Sequence, residues 1–343
     1  MEIGIIGIDL GETVFHLVGL NAGGEVVVRR KFSRAQLLRF TANLRVRRIG
    51  MEACGGSHFL GRRLREQGHE VRLMPAQYVK PYVKTNKNDY MDAEAIAEAV
   101  GRAQMRFVPI KSDDQLDMPS RHRVRERWVG HRTSVINQMR GLLLERGISF
   151  RKGRRHAEAL LPGIVEDAES GLSGPLLAQL QGELRQLQSQ IEEADTVIAR
   201  AASEQEECRR RMAIPGIGTV TATAVVAAIG SGAEFKKRRS FSAWLGLVPG
   251  QYSTGGKQKL LGISKPGNSY LRKLLVHGAR ALLQSRDKQS PGLSAWLGQL
   301  AVRAHTNIVA VAPANKMARV VWAVLSTGEA YRPPLLITEG AQI

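Results

Sequence analysis

The stretch Glu2–Gly11, Glu-Ile-Gly-Ile-Ile-Gly-Ile-Asp-Leu-Gly, constrains the fold more than any other part of the chain. Its isoleucines fall on both faces of an extended backbone, so it predicts a strand buried on both sides. One acid, Asp9, stands near its end. A carboxylate on a buried strand needs a partner, because removing water from an unpaired charge is costly. Arg48-Ile-Gly-Met-Glu-Ala-Cys54 repeats the design: a short apolar run that ends on Glu52.

A third acidic element completes the pattern. Thr85–Ala99 opens with turn-favouring residues and becomes a run of good helix formers, with Asp89 and Asp92 at the start of that run. Residues three apart share a helix face, so both carboxylates can point at one place. Acids also favour a helix N-terminus for its dipole alone. Two strand-end acids in addition predict four carboxylates, Asp9, Glu52, Asp89 and Asp92, converging on a divalent metal. Oxygen-only ligation suits Mg²⁺ or Mn²⁺ rather than Zn²⁺.

Around these acids, residues 1–115 predict an α/β domain. Strands are expected at Glu2–Leu10, Thr13–Leu20 and Glu25–Phe32, joined by hairpins, with a turn at Asn21-Ala-Gly-Gly24. A helix near Arg34–Leu44, the Glu52 strand, a basic helix at His58–Gln67 and a strand at Glu70–Met74 follow, before the helix bearing the Asp pair. That is the element order of the ribonuclease H fold.

Charge decides the class of partner. Fifty Lys and Arg against 31 Asp and Glu give a net charge of +19, which favours a polyanion. No amphipathic anchor or lipidation motif is evident, and no apolar run approaches the roughly 20 residues that cross a bilayer. Nucleic acid is therefore the expected partner, with no membrane association. The two cysteines, Cys54 and Cys208, lie far apart and form no metal pattern. Reduced thiols and a cytoplasmic location are expected.

Length predicts further domains. A basic helix is expected over 119–156: Ser120–His156 holds eleven Lys and Arg against two acids, Glu126 and Glu145. Its Arg123, Arg125, Arg127, Arg132 and Arg140 are candidate phosphate contacts. The segment 157–212 is expected to be a helical linker. In it Leu177, Leu180, Leu184, Leu187, Ile191, Ala194, Ile198 and Ala201 alternate steps of three and four. Such a seam packs against another helix, expected as a coiled coil between subunits, the alternative being an antiparallel hairpin within the chain. Residues 213–330 form a third region. It opens on Pro215-Gly-Ile-Gly218, which resembles a helix-hairpin-helix motif whose Gly216 and Gly218 let backbone amides approach a phosphate. A Gly-rich, basic loop then runs from Leu247 to Asn268, with Lys257, Lys259, Lys265 and Arg272 as further candidate nucleic-acid contacts. Helices resume at Tyr270–Leu283, Leu293–His305 and Asn307–Leu325, and 331–343 is a tail.

These residues together resemble a known family. Asp9, Glu52 and Asp89-x-x-Asp92 are similar to the DEDD carboxylate set of the insertion-sequence 110 transposases, whose N-terminal domain is a RuvC-like variant of the ribonuclease H fold. Arg123-x-Arg-Glu-Arg through Arg140-Gly-Leu-Leu143 resembles that family's basic helix. Gly246-Leu-Val-Pro, Ser253-Thr-Gly-Gly-Lys257 and Gly262-Ile-Ser-Lys-Pro-Gly-Asn-x-Tyr-Leu-Arg272 resemble its C-terminal transposase signature. The match spans nearly the whole chain. It implies a recombinase guided by a bridge RNA, acting on donor and target DNA as a homo-oligomer, dimer or synaptic tetramer. It also implies Mg²⁺ held by the acids beside a serine nucleophile, which falls on Ser253, where Thr254-Gly255 replaces the Ser-Gly of some relatives.

Three other readings compete. A RuvC-like junction resolvase would use the same acids with metal-activated water, but leaves some 200 later residues without a role. An actin-like ATPase or sugar kinase is suggested by Gly7-Ile-Asp-Leu-Gly-Glu-Thr13, yet its later nucleotide-binding segments have no convincing counterpart. A non-catalytic nucleic-acid scaffold explains the charge and not the carboxylates.

Overall fold

Continuous burial through the middle of β1 (Ile5–Leu10) and the end of β2 (Val14–Leu20) fixes a sheet early in the chain. The computed structural model describes residues 2–84, 88–167, 173–230, 232–303 and 305–333. Thr85, Asn86 and Lys87, at the head of the acidic stretch, and all of the tail beyond residue 333 lie outside the described residues. The chain divides into two compact units, Met1–Leu116 and Asp117–Ile343.

In the first unit the elements run β1 (Ile5–Leu10), β2 (Val14–Leu20), β3 (Val26–Ser33), α1 (Arg34–Ala42), β4 (Arg48–Glu52), α2 (Ser57–Glu66), β5 (Val71–Met74), the single turn α3 (Ala76–Val79) and α4 (Asp89–Val100). The sheet order is β3-β2-β1-β4-β5. β1 pairs antiparallel with β2 and parallel with β4, and β4 pairs parallel with β5. A mixed sheet of this order fits a DEDD nuclease-like fold. Ile6, Ile8, Leu17, Ile49, Met51 and Leu73 are fully buried in its core, as a central, doubly covered strand pair requires.

Two glycines set the approach of α4. A Cβ at Gly7 would lie 2.1 Å from the carbonyl oxygen of Ala93, and one at Gly50 would lie 2.8 Å from Cβ of Val100. With no side chain on the strands and Ala93 and Ala97 on the helix, α4 lies directly against β1 and β4. Asn88 caps its N-terminus by accepting a hydrogen bond from the Tyr90 amide.

The second unit is mostly helical. It contains α5 (Asp113–Leu144, beginning just before the unit boundary), α6 (Arg154–Asp167), α7 (Ser173–Glu204), α8 (Glu206–Met212), α9 (Thr219–Ile229), α10 (Arg238–Trp244), the hairpin β6 (Pro249–Thr254) and β7 (Lys257–Ile263), α11 (Ser269–Gln284), α12 (Pro291–Arg303), the short α13 (Thr306–Val309) and α14 (Val311–Thr327). The apolar stretch Asn307–Thr327, mean hydropathy 1.4, is as long as a membrane span. It turns Ala314, Met317, Ala318, Val321 and Val324 into this unit's core instead.

Several expectations change here. The basic helix does not run to His156: α5 ends at Leu144 and the backbone turns at Gly147 and Gly153, both with positive φ. The apolar seam of α7 does not wait for another subunit. Leu177, Leu180, Leu184 and Leu187 are buried with Val135, Ile136, Met139 and Leu143 of α5 in the same chain. Arg125 pairs with Asp195, Arg132 with Gln188 and His131 with Glu183, so the two helices run antiparallel. A 3-4 apolar repeat demands a helix partner without saying whose, and α5 of the same chain is already tethered beside it. The intersubunit coiled coil is thus replaced by an intramolecular pair.

The helix-hairpin-helix expectation is met only as two helices, α8 and α9, joined by a Gly-containing turn. Gly216 does not stand open toward a phosphate. A Cβ there would sit 3.0 Å from the Gly278 carbonyl and 2.9 Å from Cε of Met317, so its absence allows close packing of α11 and α14. Gly218 is exposed at the N-cap of α9, with nothing within 4 Å of where a Cβ would be.

Candidate active site

Parallel pairing carries two of the acids to one edge. Ile8 is in register with Met51, so the next residues, Asp9 and Glu52, end neighbouring strands side by side. α4 crosses both strands through Gly7 and Gly50 and brings Asp89 and Asp92 of its first turn over the same edge. All four acids lie near this edge: Asp92 and Asp89 act on Asp9 through their charges, and Asp9 and Asp92 act on Glu52, while Glu52 and Asp92 stay outside the tighter group described below.

Their electrostatics reflect the crowding. Burial and then the charges of Asp92 and Asp89 raise the Asp9 carboxyl above its ordinary value. Burial, followed by Asp9 and Asp92, raises Glu52. Half-buried carboxylates that repel one another form a natural cation site. The nearby Cys54 thiol is also pushed up, first by burial and then by Glu52 and Asp9, which keeps it protonated and a poor metal ligand.

Reading the sequence missed one member of this group. His16 of β2 lies directly opposite Asp9 in the antiparallel ladder. Its Nδ1 is 3.6 Å from Oδ2 of Asp89, and donor atoms of Asp9, His16 and Asp89 all fall within 4.8 Å of one another. The ring also meets Tyr90 edge-on at 4.8 Å between centroids. The predicted hairpin of the first two strands was the available signal, since its register brings position 16 against position 9. This acid and histidine group can hold a divalent metal.

The candidate serine lies in the second unit, on a β-hairpin rather than in an irregular loop. Gly255 and Gly256 both have positive φ, 55° and 77°, as a two-residue hairpin turn requires, and Gly-Gly between two polar runs was a readable signal for it. Ser253 is exposed near the tip, and its Oγ accepts a hydrogen bond of 2.7 Å from Gln251 Nε2. Gln251 and Ser253 are two apart on β6 and share a face.

The base of this hairpin is tightly built. A Cβ at Gly267 would lie 1.8 Å from the Trp244 carbonyl oxygen, and one at Gly246 would lie 2.7 Å from Cα of Lys265. Arg272 Nη1 donates to the carbonyls of Leu245 and Pro266, both at 2.9 Å, and so clamps the two ends of the segment. That guanidinium is engaged by backbone. Lys265, exposed, holds a left-handed φ of 58° at the same junction.

The candidate arginines of α5 divide in two. Arg123 and Arg127, four residues apart, are exposed on one face. Arg125 is bidentate to Asp195 and half-buried, and its charge is spent inside the chain. Arg132 donates to Gln188 Oε1 at 2.7 Å, and Arg140 donates to Asn137 and lies over the Phe150 ring.

Comparison with known proteins agrees with these features. A family model described as Transposase IS116/IS110/IS902 family matches residues 208–293, and a DEDD transposase model of the IS110 type matches 6–147. A probable family 20 transposase of Pseudomonas aeruginosa is 45% identical over 97% of this chain and 100% of its own length. The transposase for insertion sequence element IS1328 of Yersinia enterocolitica is 41% identical over 96% of this chain and 99% of its own. The transposase for IS1111A of Coxiella burnetii is 42% identical over 96% of this chain and 92% of its own.

Proposed function

The chain belongs to the IS116/IS110/IS902 family of insertion-sequence transposases, enzymes that cleave and transfer DNA strands, and we propose that it does so with Ser253 as nucleophile and a divalent ion at its carboxylates. One observation carries this reading: Asp9 and Glu52, at neighbouring strand ends, are raised first by burial and then by nearby acids, Asp92 and Asp89 acting on Asp9 and Asp9 and Asp92 on Glu52.

Asp9, Glu52, Asp89 and Asp92 would hold Mg²⁺ or Mn²⁺, with His16 as a nitrogen donor that weighs toward Mn²⁺. When bound, the ion would supply positive charge to neutralise a scissile phosphate. The remaining steps fall to the chain's own groups. Ser253 Oγ forms a bond to phosphorus while the backbone phosphorus–oxygen bond of the DNA breaks. The serine proton departs, and the leaving sugar oxygen takes one up. Gln251 Nε2–H, directed at Oγ, orients the hydroxyl and stabilises negative charge as it develops there. The phosphoserine ester conserves the broken bond for rejoining, which attack by water would not.

Donor and target DNA would be held electrostatically by the exposed face of α5 that bears Arg123 and Arg127, with the N-terminus of α9 at Gly218 as a further backbone donor. The net charge of +19 and the family resemblance support a bridge RNA as guide. Association into a dimer and synaptic tetramer would use surfaces other than the α7 seam, which is occupied.

The test is a denaturing gel of the protein with labelled donor and target DNA, guide RNA and Mg²⁺. The parent should form a covalent protein–DNA adduct, and Ser253→Ala should abolish it while retaining DNA binding. Thr254→Ala should be mild. An adduct that survives in Ser253→Ala refutes the assignment, and cleavage without any adduct in the parent indicates water as nucleophile. In parallel, Arg123→Ala with Arg127→Ala should flatten the salt dependence of DNA binding by about 1–2 in log–log slope, at roughly 0.9 per phosphate contact. An unchanged slope removes α5 from the interface.

A further inference from the structure

The register of the hairpin separates its chemistry onto two faces. Tyr252 pairs with Lys259 and Thr254 with Lys257, while Gln251 pairs with Leu260. Paired residues share a face and successive residues alternate. Gln251, Ser253 and Leu260 therefore occupy one side, and Tyr252, Thr254, Lys257, Lys259 and Leu261 occupy the other. The two lysines follow Ser253 closely in sequence, yet they do not share its face.

The second face is unusual for a soluble surface. Tyr252 is 62% exposed and Leu261 52% exposed. Among the described residues, no ion pair is formed by Lys257 or Lys259 and no ring packs on Tyr252. From Val248 to Lys265 the sequence contains no acid. The clamped base at Gly246, Gly267 and Arg272 holds this ribbon out on a fixed support.

We propose that the face bearing Tyr252, Lys257 and Lys259 binds an unpaired stretch of DNA, the phenol ring stacking on a base and the two ammonium groups meeting the flanking phosphates. An aromatic ring beside two cations that form no ion pair among the described residues, in a stretch without acids, matches the stacking-plus-backbone chemistry of single-strand recognition. In a closed duplex each base is already stacked on its neighbours, so an isolated ring has no base face to meet. Two copies of a chain at +19 would bring lysine against lysine at this face, which disfavours a second copy as occupant. The hairpin then works as a blade: the Ser253 face meets the phosphodiester that reacts, and the Tyr252 face keeps a displaced strand from re-pairing. This deepens the strand-transfer reading and rests on it for the source of the unpaired strand.

The experiment uses the full chain and two labelled duplexes, one closed and one with a short unpaired bubble carrying 2-aminopurine, read by binding and by fluorescence quenching of the stacked base. Tyr252→Ala should weaken bubble binding roughly five- to hundredfold and lose the quench, with little change on the closed duplex. Tyr252→Phe should behave as the parent. Lys257→Ala with Lys259→Ala should keep the quench at low salt and lower the salt slope by about 1.4, at roughly 0.7 per single-strand contact. Unchanged bubble binding in Tyr252→Ala, equal loss on both duplexes, or loss in Tyr252→Phe overturns the proposal. An altered oligomeric state in the lysine variants by light scattering overturns it in favour of a protein interface. Ser253→Ala should bind and quench as the parent, so the blade face and the nucleophile can fail separately: a surviving adduct in Ser253→Ala ends the latter, and parental quenching in Tyr252→Ala ends the former.

Discussion

At the scale of single residues, the carboxylate edge trades stability for binding. Asp9 and Glu52 are raised by burial and by one another's neighbours, so in the metal-free protein their charges oppose folding. Asp9→Asn should therefore raise the melting temperature of the metal-free protein by a few degrees, on the scale that roughly 1 kcal/mol produces. The same variant should lose the further rise that Mn²⁺ gives the parent. Parental melting with intact Mn²⁺ stabilisation would count against a shared site. His16 provides a finer test. His16→Ala should weaken Mn²⁺ affinity about tenfold, read by Mn²⁺ electron paramagnetic resonance, and Mg²⁺ affinity less. Equal loss for both ions, or none, would return the ring to a packing role against Tyr90.

At the scale of elements, the α5–α7 pair shows what an apolar repeat can and cannot specify. Leu184 is 6% exposed and is buried in one cluster with Val135, Ile136 and Met139 of its own chain. Leu184→Ala should cost about 2–5 kcal/mol of stability, as cavity-forming core substitutions do, and leave the subunit number unchanged. A stable protein that falls apart into monomers would reinstate an intersubunit role for the seam. The arginines of α5 follow from the same packing. Those in step with the seam, Arg125 and Arg132, are turned onto Asp195 and Gln188, and those off it, Arg123 and Arg127, remain free to meet phosphate. On the hairpin the period of two does the same sorting, sending Ser253 and the lysines to opposite sides.

At the scale of the whole molecule, a buried polar network ties α5, α9 and α11 of the second unit together. Thr223 Oγ1 donates its only hydrogen to the Thr219 carbonyl, so it accepts from His122 Nε2, and Nδ1 is left to accept from the Tyr270 hydroxyl. Burial, helped by the Arg125 charge, pushes His122 down to about 4, and burial pushes Tyr270 up to about 12. Between about pH 4 and 6.5 the unfolded chain binds this proton and the folded chain does not, so stability rises with pH in that window. The slope approaches about 1.4 kcal/mol per pH unit for one proton, and His122→Asn should remove it from unfolding curves measured across that range. An unchanged slope would place the proton elsewhere. What the sequence determined by itself was local: the strands and helices of the first unit, the acids at strand ends and in a helix turn, and the 3-4 seam of α7. These are written in periods of two and 3.6 and in turn residues a few positions apart. Tertiary structure decided the pairings. It set His16 against Asp9, gave α5 to the seam of α7 and put Gly216 beneath Gly278. A periodic pattern states which side of an element must be covered, while the partner that covers it depends on which distant segment chain folding brings there.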